Sequence, residues 1–263
     1  MRFLDITRGE GSVILSLPHT GTGLPGGVAD ALNDRGRALA DTDWHIHRLY
    51  DGLITGVTYL RTGIHRYAID VNRGPGGESL YPGRNTTGLC PLTDFDGAPI
   101  YRPGREPGPD EIEARREAYH APYHEALSNE IGRVKALHGF AILYDCHSIR
   151  SRIPYLFDGV LPDFNIGTNL GTTCAAEIES AVAEKCAIAE GYTSIRNGHF
   201  RGGWTTRSRG RPQEGVHAIQ MELAQSTYLK AETPPWIYDP TRASRLRHHL
   251  ADILETLLRW RPE

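Results

Sequence analysis

The segment that most restricts the fold runs from Asp110 to Tyr144. Pro109-Asp110 opens a helical pattern. Ile112, Tyr119, Tyr123, Leu127, Ile131 and Val134 place an apolar stripe along it, and Gly139 stops it. Phe140–Tyr144 ("FAILY") follows at once and reads as a buried strand, because it is apolar, β-branched and aromatic. A long amphipathic helix that feeds directly into a buried strand is the alternation of an α/β protein. Asp145, Cys146, His147 and Ser148 then arrive with no spacer, so ionisable groups stand at the end of a core strand.

The remaining segments extend the pattern. Ser12–Leu17 is a strand, Pro18–Gly27 a turn-rich loop, Thr42–Leu53 a helix and Val57–Leu60 a short strand. Ile69–Arg73 leads into a Gly/Pro-rich stretch from Gly74 to Pro109, and ordered loops of that length often line functional sites. Thr173–Glu190 is a helix ended by Gly191, Thr193–Arg196 a strand and Asn197–Pro212 a glycine-rich loop. Val216–Leu223 is a strand and Thr241–Arg259 a closing amphipathic helix. The order predicts one α/β domain over residues 1–263, with a mixed sheet covered by helices on both faces. Ligands of such sheets sit outside the carboxyl ends of the strands, where "YDCHS" falls.

Composition narrows the classes. A formal net charge of −3 gives no basic excess for nucleic acid or anionic lipid. There is no apolar run of eighteen residues and no N-terminal apolar core of a signal peptide, and the four cysteines show no CxxC spacing. A reduced, cytoplasmic protein is expected. "GTGLPG" (Gly21–Gly26) fits a dinucleotide fingerprint, but Pro18-His19-Thr20 separate it from the strand. The acids that follow, Asp41 and Asp43, open a helical pattern instead of ending a second strand.

Four strand ends or loop starts carry residues suited to chemistry. They are His19 in "LSLPHTG", Asp43, His45 and His47 in "DTDWHIHRLY", His147 in "YDCHS", and Glu222 in "IQMELAQSTY". Taken singly, His19 could be a loop histidine and His147 a satisfied core histidine. A glutamate inside an apolar strand is costly to bury unless paired or functional. Two histidines and a carboxylate can hold a zinc ion with one position open, and a further carboxylate can take a proton from water. The same donors also suit cobalt, nickel or iron. Cys146 is an alternative nucleophile, but strand neighbours face opposite ways, so His147 cannot readily activate it and His19 would have to. Arg66, Arg73, Arg150, Arg152, Arg201, Arg207, Arg209 and Arg211 cluster near these segments and point to an acidic substrate.

Together "SLPHTG", "DTDWHIHRLYDG", "DVNRGPGG", "YDCHSIRS", "GGWTTRSRG" and "HAIQMELAQSTYL", spread over residues 12 to 229, resemble the N-formylglutamate amidohydrolase family. The resemblance implies hydrolysis of N-formyl-L-glutamate to formate and L-glutamate, within histidine degradation. It implies a three-layer α/β/α fold with a mixed sheet, similar to zinc carboxypeptidases and aspartoacylases and of the phosphorylase/hydrolase-like kind. Carboxypeptidase-like enzymes bind metal through an H-x-x-E pair and a later histidine. Here Thr22 stands three residues after His19, so the resemblance leaves Asp43 as the carboxylate beside His19 and His147. It makes Glu222 the general base and Asn72-Arg73 the pair that holds a substrate carboxylate, with Arg207 a further contact. Arg66 is similar in position, one residue off in spacing, to the arginine that polarises the scissile carbonyl in aspartoacylases. The alternatives are an amidohydrolase of another N-acyl acidic amino acid, or a non-catalytic protein that binds a carboxylate or a metal.

Overall fold

The computed structural model describes residues 3–78, 83 and 85–262. Residues 79–82 and 84 of the Gly/Pro-rich stretch lie outside the described residues. In chain order the elements are β1 (Leu4–Thr7), β2 (Val13–Leu17), α1 (Val28–Ala31), α2 (Asp34–Arg37), α3 (Ile46–Tyr50) and β3 (Thr58–Thr62). There follow α4 (Pro109–Arg115), a π-helical turn (Arg116–His120), α5 (Ala121–His138), β4 (Ala141–Ile149) and β5 (Phe164–Gly167). The chain ends with α6 (Ala176–Ala187), β6 (Ser194–Arg196), α7 (Trp204–Arg209), β7 (Val216–Ala224) and α8 (Pro240–Arg259).

Seven strands form one mixed sheet in the order β1-β3-β2-β4-β7-β5-β6. The central β3, β2, β4 and β7 run parallel, β1 is antiparallel to β3, and β5 is antiparallel to β7. Side chains alternate across it with period two. Ala141 and Leu143 of β4 pack with Val216 and Ala218 of β7 under Tyr123, Leu127, Ile131 and Val134 of α5. Ile142, Tyr144 and Cys146 face the other way with Ile219, Met221 and Leu223, against α3, α6 and α8. The expected three-layer α/β/α arrangement with a mixed sheet is present. No helix among the described residues is long and apolar enough to cross a membrane.

Several details differ from the sequence reading. The strand expected to stop at Tyr144 continues to Ile149, because its pairing with β7 runs on from Ala141↔Val216 to Ile149↔Ala224. Asp145–Ser148 therefore lie within a central strand, not beyond it. The helix expected over Thr42–Leu53 is confined to Ile46–Tyr50, since His45 takes a left-handed backbone (φ 59°) and Asp43 N–H bonds the His19 carbonyl at 3.0 Å. The glycine-rich loop Asn197–Pro212 contains α7. The long helix expected over Asp110–His138 is present with a π turn at its middle. Pro122 has no N–H to give the preceding turn, which accounts for the bulge.

Candidate active site

The alternation that builds the core also builds the site. On the α5 side of the sheet, β4 reads Ala141, Leu143, Asp145, His147, and β7 reads Val216, Ala218, Gln220, Glu222. The first two residues of each strand lie under α5. The next two pass beyond its apolar stripe and meet polar loops instead. Register sets Asp145 beside Gln220 and His147 beside Glu222. His19 follows β2 after a single proline and reaches the same place.

His19, Asp43 and His147 converge, all buried. The two Nδ1 atoms stand 3.2 Å apart, and Asp43 Oδ2 lies 3.3 Å from His147 Nδ1 and 3.9 Å from His19 Nδ1. The outward nitrogens are held by carboxylates: His19 Nε2 by Asp70 Oδ1 at 2.7 Å and His147 Nε2 by Asp145 Oδ2 at 3.1 Å. A carboxylate behind each ring fixes the tautomer and leaves Nδ1 turned inward, the atom that could meet a metal. Two imidazole nitrogens on one tetrahedral zinc, each at ~2.0–2.1 Å, would stand about 3.3 Å apart. The donor set therefore fits a transition-metal ion. Asp43 is held through both oxygens: Arg66 Nη2 donates to Oδ1 at 3.2 Å, and Ser148 N–H donates to Oδ2 at 3.1 Å.

Burial and neighbouring charges shift the titration of these groups. Burial lowers His19 to about 4, and Arg66 adds to the effect against the pull of Asp70. Burial would also depress His147, but Asp145, Asp43 and Glu222 carry it well above the ordinary histidine range. Burial pushes Glu222 up to about 8 despite the nearby His147. A carboxylate titrating near neutrality can both accept and return a proton.

These groups open onto one cavity. His19, Arg66, Asn72, Arg73, His147, Gln220 and Glu222 line it, together with Thr86, Thr87, Phe95, Leu156 and Phe200. Arg73 is anchored by Thr87, through Nε to the carbonyl at 3.0 Å and Nη2 to Oγ1 at 3.1 Å. The segment Asp70–Arg73 is pinned from behind: His124 Nε2 meets the Val71 carbonyl at 2.7 Å and His120 Nε2 the Arg73 carbonyl at 2.8 Å. Both histidines stand at or just after the π turn.

Arg207 is not among the lining residues; its Nε donates to the Gly202 carbonyl at 2.8 Å. His45 and His47 do not line the cavity either, and His45 Nε2 meets the Trp236 carbonyl at 2.8 Å. Cys146 is fully buried among apolar residues on the opposite face, where burial pushes its thiol well up. Asp70, Asp145 and Gln220 received no role from the sequence. The signal for Asp145 was present, since it precedes His147 by two on a strand and must share its face.

Comparisons with known proteins bear on the chain as a whole. The sequence model of the N-formylglutamate amidohydrolase family matches residues 11–229. An N-formylglutamate deformylase of Pseudomonas aeruginosa is 44% identical over 258 residues, 98% of this chain and 96% of its own. One of Pseudomonas putida is 41% identical over 263 residues, 100% of this chain and 98% of its own. The crystal structure of N-formylglutamate amidohydrolase from Ralstonia eutropha JMP134 superposes with a TM-score of 0.79 at 25% identity, covering 98% of this chain and 99% of that one. With a family match across most of its length and relatives this similar end to end, the chain belongs to the N-formylglutamate amidohydrolase family.

Proposed function

We propose that this protein hydrolyses the formamide bond of N-formyl-L-glutamate, releasing formate and L-glutamate, with a zinc ion bound by His19, Asp43 and His147. The observation that carries the reading is the inward pairing of two carboxylate-backed imidazole Nδ1 atoms with Asp43, beside the buried Glu222 that register sets next to His147. The names of full-length relatives supply the substrate. Zinc, when bound, would supply Lewis acidity at the scissile carbonyl and acidify a water.

The protein's own groups do the rest. Glu222 accepts a proton from the attacking water as its oxygen adds to the formyl carbon. The C–N bond then breaks, and Glu222 returns the proton to the leaving amine. Arg66, held by Asp43 and set 5.0 Å from the Phe95 ring centroid, offers positive charge to the developing oxyanion. Arg73 and Asn72 receive a carboxylate of the substrate, and Arg73 is already oriented by Thr87. Arg207 is left out of this reading, because it stands off the cavity lining.

The test is formate release from N-formyl-L-glutamate by purified protein, before and after chelation and zinc addition. Loss on chelation and recovery with zinc is the expected result. Full activity after rigorous metal removal would sink the metal reading. A panel of N-formyl and N-acetyl amino diacids fixes the substrate, and faster turnover of an N-acetyl compound would replace the formyl assignment.

A further inference from the structure

On β7 a second polar side chain faces the cavity two residues before Glu222. Gln220 is 3% exposed, and both ends of its amide are engaged. The Gly203 N–H donates to Gln220 Oε1 at 2.6 Å. A backbone donor must meet the carbonyl end, so the NH₂ end is the one turned to Glu222, where Nε2 donates to Oε2 at 3.2 Å. The amide orientation is thus decided by the main chain of another segment.

That segment is itself tied to the site. Gly203 has ordinary extended dihedrals (φ −78°, ψ −173°), so glycine is needed there for space. A Cβ would lie 2.3 Å from Asn72 Nδ2. Two residues on, Thr205 N–H donates to Asn72 Oδ1 at 2.9 Å. The start of α7 therefore clamps Asn72 on one side and Gln220 on the other.

We propose that Gln220 is a positioning residue for the general base, holding one carboxylate oxygen of Glu222 so that the other is presented to the reacting water. This rests on the role given to Glu222 above. A buried carboxylate with free rotamers would spend part of its time misaligned, and a misplacement of about 1 Å can cost about 100-fold in rate. A glutamine needed only for packing would not have to donate to the base.

The experiment compares Gln220→Met, Gln220→Glu and Glu222→Gln in the zinc-loaded protein. It reads kcat and KM for N-formyl-L-glutamate, bound zinc per chain, and melting temperature. Gln220→Met keeps length and removes both hydrogen bonds. Gln220→Glu keeps an acceptor for Gly203 N–H but sets a carboxylate against Glu222. Both should lower kcat about tenfold or more, with KM within about twofold and zinc content unchanged. If Gln220→Met does not fold, Gln220→Glu alone carries the test. Turnover within about twofold of the parent in a Gln220 variant, while Glu222→Gln is inactive, overturns the proposal and leaves the base assignment standing. So does a change confined to KM, which would place the effect at Asn72, or a loss of bound zinc. Turnover retained by Glu222→Gln would instead remove the base assignment, and the role of Gln220 with it.

Discussion

Cys146 and His147 are neighbours on one central strand and are equally buried, at 0% and 3% exposure. Their two faces of the sheet are chemically opposite. Cys146 sits with Tyr144, Met221 and Leu223 under α3 and α8, where burial pushes its thiol well up. His147 sits among Asp43, Asp145 and Glu222 and is carried well above its usual range. Burial does not separate the two; the covering layer does. On one face Cys146 packs into an apolar cluster formed with α3, α6 and α8. On the other, the apolar stripe of α5 ends short, and the Asp70–Arg73 segment and α7 take over with polar groups. The site is the stretch of core whose lid is polar.

The largest effect should come from removing the imidazole beneath that polar lid. His147→Ala should abolish stoichiometric zinc binding and reduce formate release below detection, read by metal analysis and a formate assay. An active, metal-free His147→Ala protein would break the comparison outright. Glu222→Gln should retain zinc and lose about 10²–10⁴-fold in kcat. Arg73→Met should act mainly on KM, by about 10–100-fold, the loss of a charge-assisted contact of about 1.5–3 kcal/mol. An effect on kcat alone would reassign Arg73. Cys146→Ser should leave kcat within about twofold while costing about 1–3 kcal/mol in denaturant unfolding, because a hydroxyl has no apolar use there. A large loss of kcat with unchanged stability would bring the cysteine into the chemistry and erase the contrast between the faces.

Much of this was legible in the residues. The α5 stripe, the strands around residues 13–17, 141–144 and 216–223, and the closing helix follow from periodicity and their flanking glycines. His19, Asp43, His147 and Glu222 were named from residue type and position, and the structure brings them together. Three features escaped. The polar half of β4 did not read as strand, because its pairing with β7 is a long-range contact. β1 and β5 are four residues each, too short to carry a periodic signal. The helix over Thr42–Leu53 broke at His45, because Asp43 is drawn to the His19 backbone, a pull that no local propensity reports.

The sequence by itself determined the α/β alternation, the family's set of motifs and the residue types of a two-histidine, one-carboxylate site with a separate base. These depend on local periodicity and on side-chain chemistry, both written along the chain. The tertiary structure alone decided which atoms meet. It set Asp70 behind the His19 imidazole, placed Arg73 in the cavity and Arg207 off it, and joined Gln220 to Glu222 through the Gly203 backbone. The contacts among them span up to 51 residues of separation. They are fixed by strand register and by which layer covers each face, and neither exists until the sheet has formed.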